Sequence, residues 1–68
     1  MESLYDVQQL LKQFGVIIYV GKRIYDIELM SQEIKKLYES RLIEQQIYLK
    51  ASAILKREHR IELSREDL

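Results

Sequence analysis

Four bases, Lys50, Lys56, Arg57 and Arg60, stand on one side of the last amphipathic segment of this chain. Read as one helix over 44–63, with about 100° per residue, the segment gathers Ile47, Ala51, Ile54, Leu55 and Ile61 on one face. The four bases fall on the opposite face. None has an Asp or Glu three or four positions away, where a helical ion pair would form. The acids Glu44, Glu58 and Glu62 lie toward the apolar side instead. Clustered Lys and Arg bind phosphate backbones by releasing counterions. Single strands are also held by aromatic faces on which bases stack, and Tyr19 and Tyr25 flank the Lys22-Arg23 pair. The competing reading is a solvated helix face. Arg57 and Arg60 also suit the negative end of a helix dipole, although Lys50 does not.

A second basic point is Gly21-Lys22-Arg23, at the start of the second predicted helix. Free backbone N–H groups there attract anions, and Lys22 and Arg23 add charge. The run is no P-loop, because no second glycine or Ser/Thr follows at the required spacing. Asp26, in the first turn, competes for the same N–H groups. An ordinary turn explains the run equally well.

The remaining reactive residue types do not assemble into a catalytic pattern. Glu58 sits within the apolar arc of the last helix, where an unpaired carboxylate is costly. Either it meets a base from another helix or the bundle has ended at its level. A catalytic acid would need a second group, and none is evident. His59 is the single histidine and the chain has no cysteine. A zinc site needs three or four ligands, so none is expected. One histidine and scattered serines give no triad. We therefore expect a non-enzymatic protein without catalytic residues, metal or cofactor.

The elements that must position these residues follow from apolar spacing. Sixty-eight residues make one small domain, expected over 1–68. A chain of this size buries only about 60% of its unfolded surface. It has no proline and only two glycines, which suits long helices. Helix 1 is expected over 4–14. Ser3 and Asp6 form a capping-box pattern, Leu4, Val7, Leu10, Leu11 and Phe14 make the stripe, and Gly15 ends the helix. Helix 2 is expected over 23–39, with Ile24, Ile27, Met30, Ile34, Leu37 and Tyr38 on its stripe. Its bases Lys35 and Lys36 have Glu33 or Glu39 at helical spacing. Leu29 falls outside the stripe. Helix 3 is expected over 44–63, with a fraying polar tail at 64–68. No stripe can be buried alone, so the fold class is all-α, a three-helix bundle.

Val16 to Val20 interrupts the helices. These β-branched and aromatic residues have no helical period and suit an extended apolar connection between helices 1 and 2. Two roles are open to it. It crosses the end of the bundle and buries alternate side chains, with Tyr19 left at the surface. Otherwise it is an exposed strip for self-association or for another protein. The N-terminus lacks the basic start and apolar stretch of a secretory signal, and the longest apolar run is far short of the roughly 20 residues of a membrane span. A cytoplasmic protein with no membrane partner is expected.

Several strings resemble one family. Asp6-Val7-Gln8-Gln9-Leu10-Leu11-Lys12 with Phe14-Gly15, then Ile18-Tyr19, Gly21, Arg23 and Asp26-Ile27-Glu28-Leu29-Met30, are similar to the YqgQ family. Leu37-Tyr38 and Leu42-Ile43 also fit, and helix 3 fits more loosely. The family comprises short proteins of Gram-positive bacteria described as of unknown function. The resemblance implies a three-helix bundle, a cytoplasmic location and binding of single-stranded nucleic acid. One position departs from it. Where the family pattern is expected to carry Gly after Ser40, this chain has Arg41. A left-handed residue there would cost Arg roughly 1 kcal/mol.

Overall fold

A computed structural model describes residues 1–66 as three α-helices: α1 (Leu4–Gln13), α2 (Arg23–Glu39) and α3 (Gln45–Glu66). α3 runs past its expected end at Leu63, so Ser64 and Arg65 continue the helix rather than fray; residues 67 and 68 lie outside the described part. α2 and α3 form the largest interface. Arg23 meets Glu62 at one end and Tyr38 stacks on Tyr48 at the other, so the two helices are antiparallel. The Tyr38 and Tyr48 rings are nearly parallel, 4.3 Å between centroids and 4° between planes.

The buried stripes meet as expected. Leu4, Val7 and Leu11 of α1 pack with Ile27, Met30, Ile34 and Leu37 of α2 and with Ala51, Ile54 and Leu55 of α3. Each fully buried aliphatic side chain contributes about 1.5–3 kcal/mol relative to exposure. Leu10 and Ile47, expected fully inside, are half-buried. Phe14 is not in the core: it is 38% exposed. α1 ends at Gln13, and Phe14 is the C-cap with φ −101° and ψ 14°, so its side chain leaves the helical stripe. Val16 and Ile18 pack against the core where Phe14 was expected. Ile61 is also exposed, because α3 at that level faces the first turn of α2, where Arg23 meets Glu58 and Glu62.

Both α1 and α2 end in the same way. Gly15 takes φ 77°, and its N–H donates to the Lys12 carbonyl while that of Val16 donates to Leu11. Arg41 takes φ 61°, and its N–H donates to Tyr38 while that of Leu42 donates to Leu37. These are paired six-to-one and five-to-two bonds around a left-handed residue, which satisfy carbonyls that the helix end would leave free. Glycine fits this position without cost; Arg41 holds it with strain.

At the start of α1 the Asp6 carboxylate accepts hydrogen bonds from the Glu2 N–H at 2.8 Å and the Ser3 N–H at 3.1 Å. The Asp6 carboxylate of α1 thus closes the capping arrangement anticipated from its spacing to Ser3. Asp26 behaves differently from expectation. It accepts from the Val20 N–H at 2.7 Å and so ties the connection to α2.

Candidate nucleic-acid interface

All four bases of α3 are exposed: at about 100° per residue Lys56 and Arg60 lie opposite its buried stripe, while Lys50 and Arg57 flank that stripe. Only three of them are unengaged. Lys50, Lys56 and Arg60 form no hydrogen bond or ion pair among the described residues. Arg57 is held: its Nη2 donates to the Glu2 carbonyl at 2.8 Å, and its Nε lies 3.5 Å from Glu58. The spacing argument considered partners three and four residues away. It missed the adjacent acid and a backbone carbonyl from the other end of the chain.

Arg23 is likewise committed. Its Nη2 lies 3.2 Å from Glu58 and its Nε 3.0 Å from Glu62. Arg65 also reaches Glu62 at 3.2 Å. Glu62 is 9% exposed, so its charge requires these partners. This resolves the place of Glu58: it takes a base from another helix. Arg23 therefore serves the α2–α3 contact and leaves the candidate interface. Lys22 lies over the Tyr25 ring, 5.2 Å from its centroid, and has a further interaction of its own. The Lys22-Arg23 corner is thus engaged with its own fold.

The inward acids and outward bases of α3 are one arrangement. Arg23 draws Glu58 and Glu62 toward α2, and among the described residues Lys56 and Arg60 on the far side of the helix, and Lys50 on its flank, meet no carboxylate. Helix-dipole preference does not account for them. It acts within the last turn, whose base is Arg65, while Arg60 is further from the end at Glu66. The aromatic residues expected for stacking are elsewhere. Tyr25 is exposed on α2 beside Lys22, and no ring contact joins Tyr19 or Tyr25 to the α3 bases among the described residues. Sequence spacing placed them near Lys22 and Arg23 and could not place them relative to α3.

His59 on α3 faces Glu28 on α2, with Nε2 and Oε2 2.9 Å apart. It is a link between helices. Among the described residues no cluster of three acids or histidines is placed to hold a metal ion. No helix of the described residues is long and apolar enough to cross a membrane.

Sequence comparison matches residues 1–61 to the YqgQ-like family, a span that includes the whole connection, α2 and the basic side of α3. This chain belongs to the YqgQ-like family. A relative from Bacillus subtilis (strain 168), called uncharacterized protein YqgQ, is 48% identical over 58 residues, which covers 85% of this chain and 82% of the relative. The family likeness expected from the DVQQLLK and DIELM strings is therefore real and extends into α3. The relative's name assigns no ligand, so the functional reading rests on the residues themselves.

Proposed function

We propose that this YqgQ-like protein is a non-enzymatic cytoplasmic binding module that holds single-stranded nucleic acid on the outer side of α3. Lys50, Lys56 and Arg60 contact phosphates. The observation that carries the reading is charge separation within one helix of a chain with zero net charge. The acids of α3 are turned inward to Arg23, and three exposed bases keep no carboxylate. With Arg23 and Arg57 engaged and no aromatic ring beside the bases, recognition is by phosphate charge and does not depend on base identity.

Fluorescence anisotropy of a labelled single-stranded homopolymer across a salt series tests this. Three contacts give a log–log salt slope of about −2, from about −0.7 per contact. Arg60→Ala flattens the slope by about 0.7 for any strand sequence. Lys36→Ala is the control, since Lys36 is paired with Glu33 at 3.4 Å. Absence of binding at low salt, or equal behaviour of the two variants, overturns the reading.

A second reading is supported by a different observation. Ile17 is 79% and Tyr19 84% exposed on the connection between α1 and α2, beside a groove lined by Gln8, Gln9, Lys12, Val16 and Ile18. Outward apolar residues on an ordered crossing suit self-association or a protein partner. Apolar docking persists at high salt, whereas phosphate binding does not.

A further inference from the structure

Residues 16–19 alternate, and Val20 is again exposed. Val16 and Ile18 rest against the core, and Ile17 and Tyr19 stand outward. In extended chain the N–H and C=O of one residue point to one edge, and those of the next residue to the other. The Val16 N–H donates to the Leu11 carbonyl at 3.0 Å, and the Val20 N–H to the Asp26 carboxylate at 2.7 Å. The edge that carries residues 16, 18 and 20 is therefore tied to this chain at both ends, with Ile18 packed against the core between them. Ile17 and Tyr19 belong to the opposite edge. Their backbone N–H and C=O groups form no hydrogen bond among the described residues.

We propose that this free edge pairs with its equivalent in a second copy of the chain. The two segments run antiparallel about a two-fold axis at Ile18, and Ile17 of each copy exchanges both backbone hydrogen bonds with Tyr19 of the other. The inference rests on the second reading above and narrows it to one partner and one register.

Three features select a second copy. First, the edge offers two donor–acceptor residues spaced two apart, and in this register each set is the complement of the other. Gly15 at φ 77° and Gly21 at φ 93° turn the chain at both ends, so the edge is short and a two-fold pairing consumes it completely. Second, Ile17 of one copy lies beside Tyr19 of the other on the outward face, a β-branched and aromatic cross-strand pair. Third, charge does not oppose the contact. Residues 16–20 carry none and the chain has zero net charge. The outer side of α3, by contrast, would set bases against bases. Ile17 and Tyr19 with the strand edge cover at most about 400 Å² per copy, or roughly 800 Å² in total, a small contact. The dimer is accordingly weak and forms at high concentration.

Sedimentation and residue-resolved amide exchange by NMR, over a concentration series to about 1 mM, test the proposal. The expected result is a monomer–dimer equilibrium in which the Ile17 and Tyr19 amides slow as dimer forms while the Ile18 amide does not change. Tyr19→Lys, at an exposed side chain whose loss leaves the core intact, weakens association by about tenfold. Arg60→Ala leaves association unchanged, which separates this test from the nucleic-acid one. A parent that stays monomeric to about 1 mM overturns the proposal. So does a dimer whose Ile17 and Tyr19 amides exchange as they do in the monomer, since that dimer uses another surface.

Discussion

The Arg23 guanidinium, in the first turn of α2, sits with its Nε 3.0 Å from the Glu62 carboxylate of α3. It also reaches Glu58, and Glu58 in turn meets Arg57. Two poorly exposed carboxylates thereby gain cationic partners, and α3 is fixed in rotation against α2. Arg23→Ala leaves Glu62 with Arg65 alone and Glu58 with Arg57 alone. Because Arg23 itself is half-exposed, the expected cost is modest, about 1–2 kcal/mol, read from the urea midpoint. Arg23→Lys recovers only part of it, since an ammonium cannot span both carboxylates as the planar fork does.

Arg41→Gly stabilises the protein. The left-handed position after Ser40 costs Arg about 1 kcal/mol that glycine does not incur. Thermal unfolding should rise by about 4–8 °C for a domain of this size. Nothing is lost with the side chain, since the Arg41 guanidinium makes no hydrogen bond or ion pair among the described residues, and the backbone bond to Tyr38 is kept.

Ile54→Ala and Phe14→Ala separate the core from its rim. Ile54 is 5% exposed and its truncation leaves a cavity, at a cost of about 2–5 kcal/mol. Phe14, at 38% exposure, costs less than Ile54, about 1 kcal/mol. Equal losses in chemical denaturation would contradict the described packing.

Acid titration isolates Asp6. Backbone N–H groups of Glu2 and Ser3 hold its carboxyl below the ordinary value of 3.8, against a small opposing desolvation. The folded value is the lower one, so the unfolded chain takes up this proton first as pH falls. The stabilisation is present above pH 3.8 and is lost as pH drops through the folded value. Asp6→Asn removes this part of the acid dependence, and stability curves of the two proteins converge at low pH.

The helices were legible because their stripes are regular. Leu4, Val7 and Leu11, then Ile27 to Leu37, then Ala51 to Leu55, recur at helical spacing and all are buried. Phe14 continues the same arithmetic past the end of α1, and Ile61 continues it to a level where α2 meets α3 through Arg23, Glu58 and Glu62, and there the arithmetic fails. The sign of the α3 charge pattern was legible too, since inward acids and outward bases follow from angle alone. The identity of the committed bases was not. Arg23 and Glu58 are 35 residues apart, and Arg57 and Glu2 are 55 apart, distances at which only the fold decides contact. Tyr19 was legible as an outward residue of the connection because its hydroxyl favours water, and it is exposed.

The stacked rings of Tyr38 and Tyr48 give the molecule a built-in optical reporter. The chain has five tyrosines and no tryptophan, so its near-ultraviolet spectrum is dominated by phenol chromophores. Two of them, stacked in nearly parallel planes across the α2–α3 contact, are the pair placed to couple electronically. Their circular dichroism tracks opening of that hairpin, and Tyr38→Phe identifies the signal. Far-ultraviolet ellipticity sums over all three helices. A comparison of the two wavelengths on one unlabelled sample therefore tells whether α1 leaves before the hairpin opens.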